Sequence, residues 1–139
     1  MPGFSFDVAM TERQDYDAVI RRSDALGPLF MPVQLKELVP ARLNARESVI
    51  DIIQKLQKYV DSADLTVCLY LNRRMRLDLN IFTALPRLEL SGLYCVAAAT
   101  LNRRYWRLIG DLLSEQPEQT IFRTSLVSPD CFGTNLRAY

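Results

Sequence analysis

An α+β domain is the fold class this chain predicts: a small sheet of about four strands with helices packed on one face. Three observations carry the expectation. The hydrophobic period is two near the start and again over 65–81, it is helical over 44–60 and 91–112, and turn residues separate these stretches. The resulting order is strand, helix, helix, two-stranded hairpin, helix, strand. With the first helix treated as an addition, that is the split βαβ order of a ferredoxin-like sandwich.

The first strand rests on Phe4, Phe6, Val8 and Met10, which alternate with Ser5, Asp7 and Ala9. Thr11 and Gln14 then form a capping box for a helix over 12–25, with Tyr16, Val19, Ile20 and Leu26 toward the core. Gly27 and Pro28 end it in the order expected of a left-handed cap followed by a helix breaker. Residues 29–40 carry little signal: Pro32 and Pro40 bracket a piece that reads as one helical turn or an edge strand. Asn44 and Glu47 form a second capping signature. The helix behind them sets Val49, Ile52, Ile53, Leu56, Tyr59 and Val60 on one face. Its polar face holds Arg46, Glu47, Gln54 and Lys58, with Asp51 and Lys55 spaced for an ion pair.

After residue 64 the period drops to two. Leu65, Val67, Leu69 and Leu71 predict one strand and Met75, Leu77, Leu79 and Ile81 a second, joined by a hairpin at Asn72, Arg73 and Arg74. Pro86 breaks the chain. A long helix is expected from Ser91, because Tyr94, Ala98, Leu101, Tyr105, Leu108 and Leu112 recur at spacings of four and three. Residues 119–127 read as a last strand. The expected organisation is a single domain over 1–127 and a C-terminal tail over 128–139.

Length and composition bound the class. A chain of 139 residues with 49% apolar and 24% charged residues is ordinary for one globular domain. No stretch approaches the run of about 20 apolar residues that crosses a bilayer, so no membrane insertion is expected. Asp7 and Glu12, with no basic segment before an apolar one, argue against a secretory signal. Cys68, Cys95 and Cys131 are an odd number without a close pair, which argues against a disulfide framework and for an intracellular, cytoplasmic, soluble protein.

Function is approached by elimination. The chain has no histidine, which removes Ser-His and Cys-His nucleophile pairs and every histidine-containing metal site. Its five glycines form no phosphate-cradling loop. Cys68 and Cys95 sit among apolar neighbours, and Cys131 has no evident base. No catalytic residue, no metal and no cofactor is expected.

Charge is the positive signal. Residues 71–107 hold seven arginines against Asp78 and Glu89, a local excess of +5 in a chain whose net charge is +1. On the expected long helix Arg103, Arg104 and Arg107 project opposite the apolar seam, with Trp106 at its margin. Arg73, Arg74 and Arg76 belong to the expected hairpin and would enlarge the patch if they lay beside it. Solvation alone accounts for such a face, but arginine also binds carboxylates and phosphates in pairs and stacks on rings. The sequence therefore predicts a non-catalytic interaction protein, an assembly subunit, adaptor or inhibitor that uses an arginine-rich helix face toward a protein partner or its own copies. The alternative is a nucleic-acid or polyanion-binding domain using the same arginines. Phe132, Leu136 and Tyr139 make the tail a candidate docking arm.

Overall fold

A computed structural model of the chain describes residues 5–11, 16–59, 62–83 and 88–123. They form one seven-stranded sheet whose spatial order follows the sequence: β1 (Ser5–Met10), β2 (Ala18–Asp24), β3 (Gly27–Leu38), β4 (Ser62–Leu71), β5 (Leu90–Ala98), β6 (Tyr105–Gly110) and β7 (Glu118–Arg123). The sheet curls into a half-barrel and carries two short helices among the described residues, α1 (Val49–Leu56) and α2 (Asn80–Thr83). The four-stranded ferredoxin-like sandwich is therefore corrected. No helix among the described residues is long and apolar enough to cross a membrane.

Pairing explains the architecture. β3, β4 and β5 run parallel at the centre, whereas β1–β2–β3 and β5–β6–β7 are antiparallel meanders on either side. Parallel neighbours need a crossover, and α1 supplies it between β3 and β4. Ser48 caps this helix, accepting from the Asp51 amide while the Asp51 carboxylate accepts from the Ser48 amide. The reciprocal box thus lies at Ser48 and Asp51, not at Asn44 and Glu47. Asn44 instead accepts from the amides of Arg46 and Glu47, making a turn before the helix. Lys55 pairs with Glu47 rather than with Asp51.

Val49, Ile52, Ile53 and Leu56 all turn into the core, as their spacing predicts. They cover Leu65, Val67, Leu69 and Leu71 of β4 and Leu93 and Cys95 of β5, so the core lies between α1 and one face of the central strands.

Three expected elements are corrected. Residues 18–25 of the first expected helix are β2 and the start of its turn; residues 12–15 lie outside the described residues. Gly27 does take a left-handed φ of +109°, but to close the β2–β3 hairpin against Asp24 rather than to end a helix. Leu26, expected in the core, stands at that tip 98% exposed. Pro28 and Pro32 fall where β3 pairs only with β2, since β4 joins it from Val33 onward; a strand lacking a neighbour on one side tolerates proline.

The second strand of the expected hairpin does not form. β4 has β3 on one side and β5 on the other, so 75–81 have no edge to pair with, and Leu77, Leu79 and Ile81 pack on the core before and within α2. The long helix from Ser91 is instead β5, a turn over 99–104, and β6. β5 is apolar in composition on both faces, Leu93, Cys95 and Ala97 on one and Tyr94, Val96 and Ala98 on the other, so it reads as an almost unbroken apolar run that hides its period of two. Gly92 in β5 and Gly110 at the end of β6 have a packing role: a Cβ on Gly110 would stand 2.0 Å from Cδ1 of Tyr94, whose ring also lies against Gly92. β7 takes the place of the last expected strand, and 124–139, with the expected tail and Cys131, lie outside the described residues.

Candidate anion-binding trough at the carboxyl edge of the parallel strands

All three parallel strands end at the same edge of the sheet, so the segments that follow them, 39–48, 72–79 and 99–104, gather there. In open α/β sheets ligands bind beyond the carboxyl ends of the strands, at the point where the strand order reverses. Here the order runs unreversed from β1 to β7, so all that is shared with that rule is the edge. Two depressions occupy it, of about 510 Å³ and 650 Å³. They share Leu71, Arg73, Arg74, Ala98 and Ala99 and so adjoin; together they are the trough. Arg42 and Arg103 stand at one end and Arg76 and Arg107 at the other, with Arg74 common to both. No carboxylate lines either depression among the described residues.

The arginines come together differently from the sequence expectation. There is no arginine-bearing helix face, because 103–107 span a hairpin. Arg103 and Arg104 occupy its turn, and Arg107 lies in β6 opposite Ala97 and Ile121. Trp106 points to the other face and packs against Tyr70, ring centroids 5.9 Å apart. Neither Arg104 nor Trp106 lines the trough, whereas Arg73, Arg74, Arg76, Arg103 and Arg107 do.

Arg73 is not available to a ligand. Its Nε and Nη2 donate to the Val39 carbonyl at 2.8 and 2.6 Å, its Nη2 also to the Asn44 carbonyl at 2.9 Å, and its Nη1 to the Glu47 carbonyl at 3.0 Å. The guanidinium thus fastens the segment that carries Arg42 and leads into α1. Arg103 is oriented as well: its Nη2 donates to Asn72 Oδ1 at 3.0 Å, and the Asn72 amide donates to Glu37 at 2.7 Å. Its backbone takes a left-handed φ of +54°, in a turn held by Arg103 N–H to the Thr100 carbonyl and by Asn102 Oδ1, which accepts from Thr100 Oγ and the Arg104 amide. The side chains of Arg42, Arg74, Arg76 and Arg107 make no hydrogen bond or ion pair among the described residues. These four are the trough's free cations.

A second polar constellation was missed by sequence reasoning. Gln34 is the one buried polar side chain among the described residues, 6% exposed on the α1 side of β3. Its amide nitrogen donates to Asp17, and that carboxylate also accepts from the Leu35 amide at 2.7 Å. Tyr59 approaches the amide oxygen at 3.5 Å, and the Lys36 ammonium lies 6.0 Å from the Tyr59 ring centre. Asp17 and Gln34 offer hard oxygens of the kind magnesium or calcium takes, but with a single carboxylate. No group of three metal-ligating side chains occurs among the described residues. The network joins the entry of β2 to β3 and to the exit of α1. A glutamine between Val33 and Leu35 in an apolar run is the signal that marks it.

Burial raises the pKa of the Cys68 thiol, and burial with Cys68 nearby pushes that of Cys95 up to about 12, so both remain neutral thiols at ordinary pH. Comparison with protein-family models, with curated proteins and with solved structures found no match.

Proposed function

We propose that this protein is a non-catalytic binding protein that holds a polyanionic partner along the trough. The observation that carries the reading is the convergence of six arginines around two joined depressions that no carboxylate lines among the described residues. Four of them, Arg42, Arg74, Arg76 and Arg107, keep unused guanidinium groups, and such groups grip phosphates or carboxylates bidentately. Placing like charges together without a counter-charge costs folding energy, which an anion bound across them recovers. Two copies facing trough to trough would set like charges together, so an isologous contact through this surface is disfavoured. The free thiols of Cys68 and Cys95 fit a reducing, intracellular setting for the proposal.

Titration against polyanions at two salt concentrations tests it. Affinity should fall steeply with salt. Replacing Arg74 and Arg107 by alanine should reduce the slope of log K against log salt by roughly one for each phosphate the variant no longer neutralises. Absence of binding to every polyanion at low salt would overturn the proposal.

A further inference from the structure

We infer that the polyanion is single-stranded nucleic acid, with an unstacked base seated in the depression between Tyr70 and Leu101 and its phosphates on the flanking arginines. The inference rests on the trough reading and goes one step beyond it, from charge to shape. A surface that only attracted phosphate would need no recess. This one has a recess of about 510 Å³ lined by Ala98 and Ala99 together with Tyr70, Leu101 and Pro40. The small side chains of Ala98 and Ala99 leave room for a flat group. Leu101 is 85% exposed and offers it an apolar edge. The Tyr70 ring packs against Trp106, ring centroids 5.9 Å apart.

A recess of mixed polarity with a tyrosine in its lining, set between free guanidinium groups, is a combination that can bind single strands: the cations follow the backbone and a ring takes the base. A duplex keeps its bases stacked inside and presents only phosphate to such a surface. A purely acidic polymer such as polyglutamate brings carboxylates but no ring to fill the recess.

The polar groups at the recess bear on selectivity. Asn72 is held between Glu37 and Arg103, while Thr100 Oγ donates to Asn102 and accepts from the Tyr105 amide. Both are already oriented by these partners, which restricts how either can meet the edge of a base. Binding should therefore tolerate any sequence, with oligo-dT and oligo-dA within a few-fold of each other.

The test uses the full chain and its one tryptophan, Trp106, whose emission reports on the neighbouring Tyr70. A short single-stranded oligonucleotide, its duplex, inorganic polyphosphate and polyglutamate are titrated in turn. The single strand should bind more tightly than the duplex and the other two polymers, and it alone should quench Trp106. Tyr70→Leu should weaken single-strand binding by roughly tenfold and leave polyphosphate binding unchanged, which also shows that the variant is folded. Ala99→Leu, a change at an exposed position that fills the recess, should do the same.

If polyphosphate or polyglutamate matches the single strand, or if neither variant discriminates between ligands, the base-seating inference falls while the trough reading stands. If Arg74→Ala with Arg107→Ala leaves all binding intact, the trough reading itself falls.

Discussion

The seven arginines of 71–107 do different work. Arg73 distributes its charge over three backbone carbonyls, reaching residues 26 to 34 positions back along the chain. Arg74, one position on, projects into the trough. Hydrogen bonds to a charged group contribute about 1.5–3 kcal/mol, so Arg73→Ala should destabilise by an amount of that order. Arg73→Lys should recover only part, since an ammonium cannot span the same carbonyls as a planar fork. Arg74→Ala should stay within about 0.5 kcal/mol of the parent. Urea midpoints of the three variants decide it: equal losses at 73 and 74 would mean that the carbonyl latch contributes nothing. Sequence marks these residues only as a group, because what separates them is the tertiary placement of Val39, Asn44 and Glu47. The same holds for Asp17 and Gln34, whose contact depends on pairing across a hairpin that the sequence predicts as a helix. Cysteine reactivity is a second residue-level outcome. With its pKa pushed up to about 12, Cys95 should resist a thiol reagent in the native protein at pH 8 and react once unfolded, which mass spectrometry of the labelled peptide would show.

Among the elements, α1 is the one whose sequence signal and structure coincide most closely. Leu56 is 1% exposed against β4, and Leu56→Ala should cost about 2–5 kcal/mol, read from thermal or urea melts. Its cap is tuned by acid. The Asp51 carboxyl sits below its usual value of 3.8, chiefly through its hydrogen bond with the Ser48 side chain and then with the Ser48 amide. A depressed carboxylate favours the fold above its unfolded pKa, and that contribution is lost as pH falls through the lower, folded value. Asp51→Asn should therefore flatten the acid limb of the stability profile below pH 3.8. α1 and β4 were legible because each has one buried face, so burial and period agree. β5 was not legible, because it is apolar on both sides, and the seam from Tyr94 to Leu112 spaced like a helix while belonging to two strands and a turn. Gly92 and Gly110 were the discordant residues, poor in a helix interior yet required under the Tyr94 ring. Gly110→Ala should destabilise by about 1–3 kcal/mol through that clash. In a double-mutant cycle with Tyr94→Ala the two losses should be less than additive; strict additivity would place the effect in the backbone instead.

At the scale of the molecule, a parallel centre flanked by two antiparallel meanders accounts for both the stability and the candidate site. Aligning the carboxyl ends of β3, β4 and β5 is what gathers Arg42, Arg74, Arg76 and Arg107 from separate segments into one trough. Local periodicity carries no information about strand order, which is why the charge excess of 71–107 was visible in the sequence and its location was not. The same layout grades stability across the sheet. β4 and β5 each have two strand neighbours and lie against the core beneath α1, with Val67, Leu69, Leu93 and Cys95 fully buried. β1 has one neighbour among the described residues, and Val8 and Met10 on it are largely exposed. Amides that exchange only by global unfolding should therefore concentrate in β4 and β5, whereas β1 and the tip of the β2–β3 hairpin should exchange through cheaper local openings. Hydrogen–deuterium exchange followed by mass spectrometry resolves these segments as separate peptides. Slow exchange in Leu65–Leu71 and Leu93–Ala97 with fast exchange in Ser5–Met10 is the expected pattern. A β1 peptide as protected as β4 would mean that this edge is covered by something else, and the open-sided sheet would have to give way to a closed one.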